Sequence, residues 1–246
     1  MIRHFILKCD HKLSNAAFGD ILELIREVLP DAKLPSSFNK AKSVLKVLGL
    51  DYTKIDACPN DCMIYWEEHE NATSCHVCKT PRWKSKDKEN EIQNDNGKTY
   101  RIPQKILRYF LIKKRLQRPF MCQETARYMT WHADGRESDH FLHHPADGPA
   151  WKEFDSLYKE FADDPRNVRL GLATNGFNPF NSMSILHSTW PVMLINYNLP
   201  QMIMKPEFLM LALLIPGPSS PGNDIDIYLQ PLMKDLKDLW EFGLET

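Results

Sequence analysis

Cys58-Pro-Asn-Asp-Cys62 is followed by Cys75-His76-Val77-Cys78, and together they spell C-x3-C-x12-C-x2-C. Two close cysteine pairs, each on a tight turn, can bring four thiolates into a tetrahedron, the geometry that Zn(II) accepts in a closed structural site. Pro59, Asn60 and Asp61 supply turn chemistry inside the first pair, and Thr80-Pro81 closes the second. Met63 to Ser74 can form a short hairpin or helical turn and return to the metal. Two disulfides, or four unrelated buried thiols, are the alternatives. His69 or His76 could replace a cysteine, although neither improves the spacing. With all four positions filled, no coordination site is left for chemistry, so the motif pins the chain without catalysing anything.

At 246 residues the chain can hold one large domain or two small ones. A formal net charge of −1 provides no global basic field, so a nucleic-acid contact has to come from a local patch. The apolar run Phe208 to Ile215 is too short to span a membrane, and the charge-interrupted N-terminus does not resemble a secretory signal. Cys9 and Cys122 stand alone, as in a reducing compartment where paired cysteines hold metal. The expectation is a soluble, intracellular protein with no membrane partner and no small-molecule substrate.

Residues 14 to 29 read as an amphipathic helix capped by Ser14 or Asn15, with Phe18, Ile21, Leu22, Ile25, Val28 and Leu29 at helical spacing and Pro30 as its stop. A second helix follows Ser36 or Ser37, carries Phe38, Ala41, Val44, Leu45 and Leu48, and ends at Gly49. The two make a helical hairpin. Lys84 to Thr99 is polar and reads as an exposed linker. Beyond it, from Gly97 to Gln123, there is no acidic residue, while Arg101, Lys105, Arg108, Lys113, Lys114, Arg115 and Arg118 accumulate among Tyr109, Phe110 and Phe120. Such a stretch suits phosphate neutralisation and base stacking, and it equally suits a solvated helix with one buried face.

His132, His140, His143 and His144 lie among Asp134, Asp139 and Asp147 in a Pro- and Gly-punctuated segment. Hydrogen-bonding roles are the first reading there and a second metal site the alternative. Then the pattern changes. Val168 to Ala173 alternates as a strand, Trp190 to Tyr197 is a second, and Phe208 to Ile215 is a third, apolar throughout and therefore central. Pro231 opens a helix whose buried face is Leu232, Leu236, Leu239 and Trp240. Asp224 and Asp226, just upstream, are turn or N-cap residues, with metal carboxylates as the alternative. Three strands followed by a helix make the opening half of a ribonuclease-H-like fold, in which a carboxylate at the end of the first strand holds catalytic Mg(II).

A set of stretches in this order resembles the plant CACTA-type (En/Spm-like) transposases: KIDACPNDCMIYWEEHENATSCHVCKTPRW, ILRYF, RLQRPF, WHADGR, HPADGPAW, DPRNVRLGLATNGFNPF, LLIPGP and SPGNDIDIYLQPL. The resemblance implies a nuclear DNA-transposition protein whose zinc-binding segment precedes a ribonuclease-H-like core using divalent metal ions, and it implies DNA and other transposase subunits as partners. Two departures stand out. The family pattern has Asp where this chain has Asn175, in Thr174-Asn175-Gly176-Phe177-Asn178-Pro179-Phe180. An amide brings a neutral carbonyl and a competing NH2 donor in place of the anionic oxygen that a hard Mg(II) ion needs. The chain also stops at Thr246, before the strand and helix that would carry further acidic ligands, so a truncated and catalytically disarmed copy is the expectation.

The expected architecture is α+β: a helical hairpin at 1–50, a zinc-binding segment at 51–84, a polar linker at 85–100, a basic, loop-rich connector at 101–160 and the N-terminal half of a ribonuclease-H-like core at 161–246.

Overall fold

A computed structural model gives the protein's structure and describes residues 2–47, 51–85, 91–93, 99–136, 141–180, 186–200 and 208–245. Two compact units divide the chain, Met1–Asp51 and Tyr52–Thr246.

The first unit is helical. Helix α1 (Ile2–Asp10) precedes α2 (Asn15–Val28) and α3 (Phe38–Val47), the pair foreseen as a hairpin. Ser14 caps α2 by accepting from the Ala17 N–H at 3.0 Å, and the Ser37 hydroxyl accepts from the Lys40 N–H at 3.3 Å. These caps satisfy amide donors that a helix start leaves orphaned. Phe18, Leu22 and Ala41 are buried against the rings of Phe5 and Phe38. The apolar stripe read along α2 is only partly used, because this small core covers Phe18 and Leu22 while Ile21, Val28 and Leu29 stay exposed. Leu48 and the Gly49 stop lie outside the described residues.

The second unit is built on a five-stranded antiparallel sheet in the order β1-β4-β7-β6-β5. Its members are β1 (Thr53–Ala57), β4 (Lys105–Tyr109), β5 (Leu170–Thr174), β6 (Trp190–Asn196) and β7 (Met210–Ile215). The three C-terminal strands fall where alternation and apolar content placed them, and β7 is central, as its uncharged sequence requires. Its outer neighbour comes from far upstream: Arg108 faces Leu214, Tyr109 faces Leu213, and the Phe110 N–H donates to the Ala212 carbonyl at 2.8 Å. Part of the basic stretch is therefore a sheet strand. Where a linker was read at 85–100, β2 (Glu91–Gln93) and β3 (Thr99–Arg101) pair antiparallel. Trp83 bridges Pro103 at the base of this excursion, and the Lys84 N–H donates to the Ile102 carbonyl.

One face of the sheet is covered by α9 (Ile225–Phe242). The helix begins six residues before the Pro231 start read from sequence. Ile225, Tyr228, Leu229, Leu232, Leu236 and Leu239 recur at helical spacing and pack on the core, so burial overrides the proline. Pro231 sits inside the helix and is itself buried, although an interior proline removes one backbone hydrogen bond. Trp240 is a second correction. It lies half exposed beyond the core and stacks on Phe161, with ring centroids 5.3 Å apart. Shorter helices α4 (Ile112–Gln117), α5 (Gln123–Ala126), α6 (Trp131–Asp134), α7 (Pro149–Leu157) and α8 (Lys159–Ala162) fill the chain between β4 and β5. Among the described residues no helix is long and apolar enough to cross a membrane.

The packing difference between the centre and the edge of the sheet sets an expectation for stability. Leu213 in β7 is fully buried, whereas Leu172 in the edge strand β5 is 47% exposed. Leu213→Ala should cost about 3 kcal/mol in a urea titration and Leu172→Ala less than about 1 kcal/mol.

Candidate functional site

Each cysteine pair sits on a hydrogen-bonded turn. In the first, the Cys58 N–H donates to Met63 O and the Asp61 N–H to Cys58 O, while Ala57 bridges Ile64. In the second, the Cys75 N–H donates to Thr80 O, the Lys79 N–H to Cys75 O, and Ser74 bridges Pro81. The chain between them makes a short 3-10 turn at Glu67–His69. Arg82 closes the loop: its guanidinium pairs with Asp56 at 2.7 Å, donates to the Glu70 and Ala72 carbonyls, and lies 4.7 Å over the Tyr65 ring.

These turns bring the sulfurs of Cys58, Cys62, Cys75 and Cys78 within 4.8 Å of one another. All six cysteines are free thiols, so the disulfide alternative is not realised here. A tetrahedral site with Zn–S arms of about 2.3 Å has sulfur–sulfur edges of about 3.8 Å, and the cluster fits that size and donor set. The quartet is thus a possible metal centre, consistent with structural zinc. Among the described residues no other group of three or more His, Cys, Asp or Glu side chains converges in this way. His69 and His76 lie side by side, with centroids 4.6 Å apart and ring planes tilted by 39°, outside the quartet.

The thiols are not equivalent. Hydrogen bonding with Thr80, and then with Asn60, pulls Cys78 down to about 5. Burial first, and the neighbouring sulfurs second, push Cys62 up to about 12. Burial also pushes the Tyr65 phenol up to about 12, helped by Cys58 and Cys75 beside it.

The basic residues singled out in the sequence have diverse fates. Lys105 is buried and its ammonium pairs with Asp61, inside the first cysteine turn. Lys113 pairs with Asp238 at 2.9 Å and Asp235 at 3.2 Å, and Arg115 donates to the Leu211 carbonyl at 2.9 Å. Arg101 and Lys114 are exposed, and Arg118 is half-buried. Arg101 lies 5.1 Å over Trp83, and Arg108, across the register from Lys54, lies 5.9 Å over Tyr52.

The histidine segment is a hydrogen-bonded capping device. His144 Nδ1 accepts from the Ala146 N–H at 3.1 Å, its Nε2 faces the Leu199 carbonyl at 3.1 Å, and Asp147 accepts from the His144 N–H in return. Burial holds both His132 and His144 below the usual histidine range. His140 and Asp139 lie outside the described residues. Beside this device, Asn198 is fully buried: its side chain accepts from the Arg169 N–H and donates to the Met129 and Asn167 carbonyls, tying the start of β5 to the segment after β6. Sequence reading did not single out Asn198 as structural, because its partners lie far along the chain.

Asn175 follows the last residue of β5 and is exposed, as are Asp224 and Asp226 at the start of α9. Asp224 is the N-cap residue of that helix without a side-chain capping bond. The antiparallel registers put the end of β5, the start of β6, the end of β7, the start of β4 and the end of β1 at one end of the sheet. Cys58 and Asn175 therefore stand on opposite edges, four strand spacings or about 19 Å apart across the sheet and further separated along the strand direction. The cysteines cannot stand in for ligands at the β5 end. A neutral amide there, with no group of three or more His, Cys, Asp or Glu side chains gathered beside it among the described residues, is a poor match for a Mg(II) site.

A mixed α+β domain with a cysteine-pinned edge is the class that the fold and the site define. Residues 139–246 match the family model described as Transposase family tnp2, which supports a transposase relationship for that segment. The matched region contains β5, β6, β7 and α9 and leaves the quartet, β1 and β4 outside it. No curated protein and no solved structure matches the chain.

Two measurements check the site. Cys75→Ser should lower bound metal from one equivalent to less than about 0.1 by elemental analysis and destabilise residues 58–83, read as faster amide exchange there, because metal binding at such sites contributes to folding energy. In metal-free protein at pH 7, iodoacetamide should modify Cys78 well before Cys62, and the Cys78 rate should fall only as pH drops through about 5.

Proposed function

We propose that the chain is a transposase-derived protein of the CACTA type that carries structural zinc on Cys58, Cys62, Cys75 and Cys78, binds DNA, and does not catalyse strand transfer. The observation that carries this reading is Asn175: an exposed amide at the end of the first strand of a three-strand meander followed by a helix, inside the segment matching the tnp2 family. That order of elements supports a ribonuclease-H-like core, where this position calls for a carboxylate. DNA is held through Arg101, Arg108, Lys114 and Arg118, joined by Lys54 beside Arg108, since Lys105, Lys113 and Arg115 are engaged within the fold. The protein works in the nucleus.

A shallow groove of about 770 Å³ supports a second reading. It is lined by Trp66, Met233, Leu236 and Trp240 and rimmed by Lys234 and Lys237. On this reading the zinc-stapled unit associates with an intact transposase subunit. Binding to duplex DNA that weakens steeply with salt favours the first reading; a stable complex with such a subunit, without DNA affinity at low salt, favours the second.

Titration against duplex DNA over a range of salt concentrations tests the assignment. Lys114→Ala with Arg118→Ala should reduce the slope of log affinity against log salt by about 1.8, at roughly 0.9 per phosphate contact removed. Lys105→Met should leave that slope unchanged. Neither the wild type nor Asn175→Asp should nick duplex DNA with Mg(II) or Mn(II), and metal-dependent nicking by the wild type would overturn the inactive assignment.

A further inference from the structure

We infer that the cysteine knuckle is a two-point clamp on α9, and that metal bound to the quartet decides whether the first turns of that helix are seated on the sheet. This rests on reading the quartet as a metal site and goes beyond it, because it assigns the metal an effect on an element that supplies no ligand.

The clamp has two jaws, and both are acidic residues of the knuckle. Asp61 accepts from the Tyr228 hydroxyl and from the Lys105 ammonium, joining the first cysteine turn to α9 and to β4. Glu67 pairs with Lys234, whose ammonium also lies 5.3 Å over the Trp66 ring. Tyr228 is fully buried, so its hydroxyl has no water to turn to if Asp61 withdraws.

Both jaws are held in left-handed backbone, at φ 59° for Asp61 and φ 49° for Glu67. Residues with a Cβ avoid that region unless their surroundings impose it. Asp61 lies between Cys58 and Cys62, so closing two ligands on one ion fixes the turn that aims its carboxylate. Without the ion, the turn keeps its backbone hydrogen bonds but loses the cross-link that makes its geometry obligatory.

The jaws grip α9 on either side of Pro231. Tyr228 and Lys234 are separated by about 9 Å of helix rise. Proline has no N–H for the Ile227 carbonyl, so the stretch Ile225–Gln230 is joined to the rest of α9 by a weakened ladder. Fewer than two turns of helix cannot persist on intrinsic propensity. The stretch is held by Ile225, Tyr228 and Leu229 on the core and by the Asp61 jaw. Releasing the jaw should free this part first, and with it Asp224 and Asp226.

Hydrogen exchange on the full chain tests the clamp, comparing zinc-loaded protein with protein stripped by a chelator and measuring zinc by elemental analysis. Stripping should accelerate amide exchange in Ile225–Gln230 about tenfold or more, while amides of β6 keep their protection. Asp61→Ala should show the same acceleration with zinc still bound, and chelation should then add little. Tyr228→Phe leaves the knuckle intact and should act in the same direction by a smaller factor, so it decides the matter if Asp61→Ala does not fold. Failure of the wild type to bind zinc would overturn the metal reading and the clamp with it. Bound zinc with unchanged exchange in Ile225–Gln230 after stripping would overturn the clamp alone, as would equal acceleration in β6.

Discussion

The joint between β4 and β7 holds the larger unit together. Only Arg108–Leu214, Tyr109–Leu213 and the Phe110 N–H to Ala212 carbonyl bond make it, yet it unites strands about a hundred residues apart in sequence. Strand β7 accepts it because Met210–Ile215 carries no charge and can be covered on both faces and paired on both edges. Without β4 and β1, the outer edge of β7 would present unpaired N–H and C=O groups next to fully buried Leu213 and Ile215. The region matching the tnp2 family therefore does not end where folding does. The cysteine knuckle, which lies outside that match, closes the far edge of the same sheet through β1.

The same joint explains why a run of cations in the sequence does not become a uniformly basic surface. Alternation along β4 turns Lys105, Leu107 and Tyr109 inward, and each polar tip must then find a partner. Lys105 finds Asp61, and the Tyr109 hydroxyl finds Asp235; burial first, and that carboxylate second, raise the phenol's pKa. Lys113, one turn further on, is held by Asp235 and Asp238 of α9. Charge density was visible in the sequence. Its division between internal pairs and outward-facing residues was not, because the matching carboxylates lie far off in the chain, Asp61 upstream and Asp235 and Asp238 more than a hundred residues downstream.

What could be read in advance was whatever depends on near neighbours in the chain. Cysteine spacing foretold the convergence of four sulfurs, serines before apolar runs foretold the caps at Ser14 and Ser37, and the composition of Met210–Ile215 foretold its central place. The misreadings have a common cause. Local propensity marks Pro231 as a helix start and forbids it an interior place, whereas the packing of Ile225 and Tyr228 on a distant sheet extends the helix upstream. The β2–β3 pair was hidden in a polar stretch, since Glu91–Gln93 and Thr99–Arg101 offer little apolar periodicity to detect. Asp61 was read as turn chemistry, which it is, but its left-handed backbone and its grip on Tyr228 and Lys105 arise only once three remote segments meet.

Burial separates the residues that hold this fold together from those on which the proposed loss of catalysis rests. The residues that hold the unit together are buried: Leu213, Ile215, Tyr228, Leu232 and Asn198. Asn175 is exposed at a strand end, and Asp224 and Asp226 are exposed at a helix start. Exchange of a carboxylate for its near-isosteric amide at an exposed position changes folding free energy by no more than about 0.5 kcal/mol. The same exchange removes the anionic oxygen without which a hard divalent ion is poorly held. Folding therefore does not discriminate between Asp and Asn at residue 175, and the sheet and the knuckle are indifferent to which of the two stands there.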